Sequence, residues 1–413
     1  MIKNILHIST FDSGGAGLAA LRLHKSLLKE GINSKMLVAH KTTNLDSVFE
    51  AEESSINKYI PPHNPLLRYL KVFQRKLGFG IPTLESYRNK LNDLQKKYPT
   101  FFSFPISNYD LSNHPLIKES DIIHLHWIGN FVDFDSFFYK VNKPIVWTFH
   151  DINPLYGGFH HTRLKEKNYI YYKELEDACY RIKKDAIRNC KTLNIVAISS
   201  KMKELISNHE FYHSKPVYKI FNSVNGDDFI SFDKKSIRNY LKLPKNKKLL
   251  LFINKNIEDS EKGLKELLSA INIINSQNIE LVCVGDGEMP IETVVTVHRF
   301  SSVKDTIWLS QLYSACDALI LPSFQEALPQ TPLEALCCGT PVVMTPVSGS
   351  DDIINDNNGV CCKDNSIKGI ADGIIKVINR TYPPITLRNE VLKKFNSKII
   401  AEQYIDLYNN ILS

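Results

Sequence analysis

The chain has 413 residues, 43% hydrophobic and 23% charged, with a formal charge of +7 at pH 7. At ~150 residues per domain that length suits two or three globular cores, and the composition excludes a disordered or fibrous protein. The basic excess suits anionic small molecules or an anionic membrane surface, but it is too weak and dispersed to indicate nucleic acid.

The eight cysteines include the adjacent pairs Cys337-Cys338 and Cys361-Cys362 inside apolar runs. They lack C-x-x-C spacing, so they read as small buried residues in a reducing compartment. No apolar stretch approaches the ~20 residues of a membrane span, and Ile5 to Ile8 is too short for a signal-peptide core. A cytoplasmic protein is expected.

In chain order, a strand over Ile5–Ser9 runs into Asp12-Ser13-Gly14-Gly15-Ala16-Gly17, and a helix is expected from Leu18 to about Glu30. Such a glycine turn lets backbone N–H groups approach an anion, although tight strand–helix turns also use glycine for geometry alone. Its spacing is not G-x-G-x-x-G, and no dinucleotide fingerprint is present. After Pro61, Pro62 and Pro65, apolar positions 66, 69, 70, 73 and 77 follow helical spacing with Arg68, Lys71, Arg75 and Lys76 among them. That is either a basic helix on an anionic membrane or an ordinary packed helix with a solvated face.

Asp121–Trp127 reads as a strand, and Pro144–Asp151 as another ending at His150. His124 and His126 alternate with apolar residues, so they face one way, toward a metal, a cleft or local hydrogen-bond partners. The polar stretch Asn225–Lys248 reads as an interdomain linker. A second α/β unit opens at Leu249–Ile253, followed by Lys255 and the Lys262-Gly263 pair. Leu281–Gly287 is a strand ending in a glycine turn at Gly285, and Val294–His298 a short further strand.

The densest signal lies over 317–347. Ala318–Leu321 is a buried strand, and the loop after it carries Glu326 and Pro329. A helix is expected with Thr331 as N-cap, Pro332 at its first position and Glu334 three residues past the cap, ending at Gly339. Thr331-x-x-Glu334 is therefore also a capping box that requires no ligand. The tail from about Leu392 to Leu412 is helical in pattern.

Taken together, Ser323-x-x-Glu326, Glu326-x7-Glu334, Leu333-Glu334-Ala335-Leu336 and Gly339-Thr340-Pro341-Val342-Val343 resemble the E-x7-E element of family 4 retaining glycosyltransferases. Asp121-Ile122-Ile123-His124-Leu125-His126-Trp127, Trp147-Thr148-Phe149-His150-Asp151, Gly157-Gly158-x-His160 and Leu312-Tyr313-Ser314-Ala315-Cys316-Asp317 extend the resemblance along nearly the whole chain. It implies an α/β protein of two doubly wound Rossmann-like domains facing a cleft (GT-B), with the C-terminal helix crossing back to the first domain. The domains would be 1–224 with about 396–413 on the acceptor side, and 225–395 binding a nucleotide sugar.

By the same resemblance, Glu326 lies beside the donor sugar, Glu334 holds the nucleotide ribose, and His150 contacts the sugar. Lys262, with Lys255 as a looser match, binds the donor diphosphate, and Gly14, Gly15 and Gly17 face it. Asp151, Gly285 and Gly349 complete the substrate-binding set. The implied reaction moves a hexosyl unit from a nucleoside diphosphate sugar to a glycan or lipid-linked acceptor in surface polysaccharide assembly. Lysines and backbone amides serve the leaving group, so no metal and no cofactor is expected; peripheral contact with the inner membrane surface depends on residues 66–77. Phe159 and the Lys- and Tyr-rich Lys165–Lys173 depart from the pattern in the region implied to recognise the acceptor. A non-catalytic nucleotide-sugar-binding protein is the alternative; a nicotinamide oxidoreductase lacks its fingerprint here.

Overall fold

The computed structural model of the protein describes residues 4–54, 83–303 and 305–413. The basic helix expected over 66–77 lies outside the described residues. The chain forms two compact units, one from the N-terminus through Ala197 with Lys203–Lys219 and Ile405–Ser413, the other Ile198–Met202 with Ile220–Tyr404.

The first unit is built on seven parallel strands: β1 Asn4–Phe11, β2 Asn33–His40, β3 Val48–Glu50, β4 Ile122–Leu125, β5 Ile145–Phe149, β6 Leu193–Ala197 and β7 Val217–Lys219. Their order is β3-β2-β1-β4-β5-β6-β7. Helices cover both faces, which is why β4, β5 and most of β1 are buried throughout rather than alternating with polar residues.

The second unit has six parallel strands: β8 Lys248–Asn256, β9 Ile279–Asp286, β10 Val297–Phe300, β11 Ala318–Leu321, β12 Val342–Met344 and β13 Gly359–Cys361. The order β10-β9-β8-β11-β12-β13 repeats the first unit's winding. In each sheet the order reverses between two central strands, β1 and β4 or β8 and β11, and loops leaving their carboxyl ends splay apart there.

Several elements differ from their expected bounds. The first helix runs Gly14–Lys29, because Gly14 takes a left-handed φ of +71° and turns the chain into the helix at once. Asn225–Lys248 is not a free linker: it contains helix Lys234–Tyr240, and Phe229, Ile237 and Leu243 enter the second core. Apolar residues spaced among the lysines made that packing, and their low density hid it. The short strand expected at Val294–His298 lies at Val297–Phe300, paired with β9.

The tail is two helices, Pro384–Phe395 and Ser397–Leu412, divided at Asn396. The first buries Leu387, Val391 and Phe395 in the second unit. The second ends in the first unit, where the Tyr408 hydroxyl meets Nδ1 of His124 at 2.6 Å. All eight cysteines are free thiols, seven of them buried. Among the described residues no helix is long and apolar enough to cross a membrane.

Candidate active site

In the second unit the site residues gather where β8 and β11 end side by side. Gly263 has φ +71°, and a Cβ there would lie 2.2 Å from the Pro322 carbonyl oxygen, so only glycine allows this approach. The Phe324 N–H donates to the Glu261 carbonyl at 2.9 Å, tying the two loops together. The result is that Lys262 Nζ donates to Glu326 Oε1 at 2.7 Å. Burial works against the Lys262 charge, but the Glu326 carboxylate outweighs it and holds the ammonium above the ordinary lysine pKa.

Gly349 supports the same loop from the β12 side. A Cβ on it would sit 2.9 Å from the Ala327 carbonyl oxygen and 2.8 Å from Leu328 Cδ1. Three expected site positions, Lys262, Glu326 and Gly349, are thus brought together.

Glu334 stands apart from that cluster. Its helix spans Gln330–Cys337 with Pro329 as N-cap and no side-chain cap bond, so neither the expected Thr331 cap nor the capping box exists. Pro329 at φ −69°, ψ 145° takes the flanking position, and Thr331 is already helical. Pro332 then falls at the third helical position, where an N–H would have no intrahelical partner anyway. Glu334 is 7% exposed and accepts from the Tyr313 hydroxyl at 2.9 Å.

At the carboxyl ends of β8 and β9, Gly285 adopts φ +144°, and a Cβ would overlap the Asn254 carbonyl. Lys255 is exposed on β8. Its ammonium adds to the Ser302 hydroxyl and N–H, and to Arg299, in holding Asp286 below the ordinary carboxylate pKa. Arg299 donates to the carbonyls of Gly285 and Gly287. No motif marked Arg299; it shares this edge only through the β9–β10 pairing.

In the first unit the carboxyl edge carries the glycine turn and the His-Asp pair. Gly14 and Gly15 have open space where a Cβ would be, at the N-terminus of a 16-residue helix. Gly17 serves packing instead, since a Cβ would meet the Phe11 carbonyl oxygen at 2.6 Å. Asp12 closes the neighbouring loop by accepting from the N–H groups of Thr42 and Thr43 and from the Thr42 hydroxyl. Burial raises its pKa, but these donors prevail and lower it.

His150 follows β5, and its Nε2 lies 3.0 Å from Nδ1 of His126. Burial depresses its pKa to about 4 despite the neighbouring Asp151. Asp151 accepts from His160 Nδ1 at 2.7 Å, Trp127 Nε1 at 2.8 Å and the Asn153 N–H at 2.8 Å. Burial opposes its charge, and the His160 interaction with these donors takes it down to about 2. Asp151 therefore organises the loop through His160. The Gly157-Gly158 turn beyond it is held by Glu176, whose carboxylate accepts from both glycine N–H groups at 2.8 and 2.6 Å. Nothing in the Lys- and Tyr-rich helix Thr162–Asn189 singled out Glu176 in the sequence. His124 and His126 are fully interior: His124 meets Tyr408 and Thr148, and His126 meets His7 and His150.

Residues 233–394 match the family model of glycosyl transferases group 1. An uncharacterized glycosyltransferase of Methanocaldococcus jannaschii is 23% identical over 312 residues, covering 71% of this chain and 76% of its own. CapM of Staphylococcus aureus, a capsular polysaccharide biosynthesis glycosyltransferase, is 27% identical over 241 residues, 54% of this chain and 63% of CapM. Among solved structures, HepE of Anabaena in complex with UDP-glucose superposes with a TM-score of 0.63 at 15% identity, covering 98% of this chain and 99% of HepE. The matched segment contains Lys255, Lys262, Gly285, Glu326, Glu334 and Gly349. The chain carries the two parallel-sheet α/β units of GT-B glycosyltransferases.

Proposed function

We propose that the protein is a retaining glycosyltransferase that moves a hexosyl unit from a nucleoside diphosphate sugar to a hydroxyl of a glycan or lipid-linked acceptor. The Lys262–Glu326 contact carries this reading. It places an ammonium and a carboxylate together at the point where the sheet order reverses, which is where such a fold takes its ligand. An ammonium answers the charge that builds on a departing diphosphate, and the adjacent carboxylate accepts from sugar hydroxyls as the bond breaks.

In this reading the second unit holds the donor and the first serves the acceptor. Glu334 takes the ribose hydroxyls. Lys255 adds positive potential toward the diphosphate, and on the first unit the open N–H groups at Gly14 and Gly15 face an anion and His150 meets a sugar. Lysines supply the positive charge, so transfer proceeds without a divalent cation. The polysaccharide assignment draws on CapM, and UDP as the first donor base to test draws on HepE.

The test is a panel of UDP-, GDP- and ADP-sugars, read by release of free nucleoside diphosphate and by the anomeric configuration of the product. Release with a retained anomer supports the proposal. Tight binding with no release from any donor contradicts it.

A further inference from the structure

His7, His126 and His150 form a continuous row across β1, β4 and β5. His7 Nδ1 lies 2.9 Å from His126 Nε2, and His126 Nδ1 lies 3.0 Å from His150 Nε2. The two outer nitrogens, His7 Nε2 and His150 Nδ1, are buried without a hydrogen-bond partner among the described residues. The row starts inside the sheet, where His7 is fully buried, and ends at the carboxyl edge with His150.

A neutral imidazole has one N–H and one bare nitrogen. Each contact in the row needs one of each, so fixing one ring fixes all three. Only two arrangements exist. Either every ring carries its hydrogen on Nε2, which leaves the unpaired N–H at His7 Nε2 and a bare nitrogen at His150 Nδ1, or every ring carries it on Nδ1, which leaves the unpaired N–H at His150 Nδ1 and a bare nitrogen at His7 Nε2. Orphan N–H groups are rare inside folded proteins, so the unpaired hydrogen belongs at the His150 end, which is only partly buried at the carboxyl edge, and not at His7, which is fully buried inside the sheet. The faces around His7 are the rings of His24 and His124, at centroid distances of 5.8 and 5.1 Å.

We propose that this row is a tautomer relay in which His7 and His126, as positioning residues, fix His150 with its hydrogen on Nδ1, so that His150 presents a donor rather than an acceptor. Taking that donor's partner to be a sugar oxygen rests on the function proposed above; the tautomer order does not. Burial depresses the pKa of all three rings, which keeps the row neutral at physiological pH. Asp151 does not draw the row into an ion pair, because its oxygens are already taken by His160, Trp127 and Asn153.

Ring nitrogens of His7, His124 and His126 also lie within 4.8 Å of one another, which admits a metal. The hydrogen bonds favour the relay. Both ring nitrogens of His124 are engaged, by Tyr408 at 2.6 Å and Thr148 at 2.7 Å, and the group contains no carboxylate to offset a buried dication.

Protein labelled with 15N in histidine reports, through long-range proton–nitrogen spectra, which ring nitrogen bears each hydrogen. At neutral pH the relay gives Nδ1–H at His7, His126 and His150, assigned by the signals lost in His150→Asn. A His150 hydrogen on Nε2, a charged ring, or one bound metal per chain by elemental analysis would overturn it. His7→Leu removes the first donor and should leave His150 as a mixture of tautomers. His7→Asn offers an amide near the same position and should restore Nδ1–H, whereas a His7→Leu spectrum like the wild type contradicts the relay. If His7→Leu does not fold, the wild-type spectrum still decides.

Rates are read with whichever of UDP-glucose, UDP-N-acetylglucosamine, GDP-mannose and ADP-glucose the wild type turns over fastest. His7→Leu should lower kcat by about five- to tenfold and His7→Asn should restore it. Altered spectra with unchanged rates would keep the tautomer order and remove the sugar contact. No turnover of any donor would remove the proposed function and leave the spectra to judge the relay alone.

Discussion

The Lys262 ammonium donates to the Glu326 carboxylate at 2.7 Å, although 64 residues separate them in the chain. The pair exists because β8 and β11 are neighbours and because Gly263 lets its loop touch Pro322. Both side chains are largely buried, 26% and 15% exposed, so each is the other's main compensation. Lys262→Ala should raise the barrier to transfer by about 2–4 kcal/mol, the range for a lost charged donor at a developing negative charge. Transfer at the wild-type rate would return Lys262 to a merely structural ion pair.

The same pair has a pH signature. Its folded-state lysine pKa lies above the unfolded value, so its contribution to stability is complete below the unfolded pKa. It disappears as pH rises through the folded pKa. Melting curves above about pH 10 should therefore fall less steeply for Glu326→Gln than for the wild type, because that variant has no carboxylate to lose its partner. Parallel curves would contradict the coupling.

The histidine core acts in the opposite direction. Burial lowers the pKa of His7, His24, His124, His126 and His150 in the folded protein. The unfolded chain thus binds more protons below about pH 6.5, and stability is lost as pH falls from there toward the folded values. For His150, with a folded pKa of about 4, the loss approaches about 3 kcal/mol near pH 4. Thermal melts from neutral pH downward should drop steeply below pH 6, and a His126→Phe variant that folds should drop less. A flat profile would mean the rings are not buried as neutral groups.

Glu334 separates local stability from ligand binding, because its helix has no capping box for it to complete. Its carboxylate meets Tyr313. Tyr313→Phe should cost about 1 kcal/mol of stability and leave nucleotide affinity close to wild type. Glu334→Ala should weaken nucleoside diphosphate binding by about 1–3 kcal/mol, or roughly ten- to a hundredfold, measured by titration calorimetry. Equal, small effects of both variants on binding would remove the ribose role.

What the sequence disclosed depended on the distance over which each feature is determined. Ala318–Leu321 appears at its expected bounds because an apolar run closed by Pro322 is a local signal. The Thr331 cap was misplaced because Pro329 and Thr331 both suit a helix start, and only the chain's path out of the Glu326 loop decides between them. The Lys262–Glu326 contact has no local signal at all. A motif resemblance named both residues, but their distance follows from strand order. The histidine row is the extreme case, since His7, His126 and His150 lie on three segments that only the β1-β4-β5 order brings into line. Glu176 and Arg299 went unnoticed for the same reason: each acts on a turn that another part of the chain supplies.

The expectation of metal independence has a direct check. In the proposed function Lys262 and Lys255 supply the positive charge without an ion, so transfer in excess chelator should match transfer in magnesium within about twofold. A loss of about tenfold or more in chelator, restored by magnesium or manganese, would show that an ion carries the diphosphate charge instead.

The central claim is that Glu326, paired with Lys262, acts on the donor sugar in a glycosyl transfer. Its most direct measurement compares nucleoside diphosphate release by wild type and Glu326→Gln at saturating nucleotide sugar, with diphosphate affinity measured alongside. The account predicts release by the wild type, a turnover lowered about a hundredfold in Glu326→Gln, and a diphosphate affinity changed by no more than about threefold. Equal turnover by the two proteins, or no release from any donor by the wild type, would contradict it.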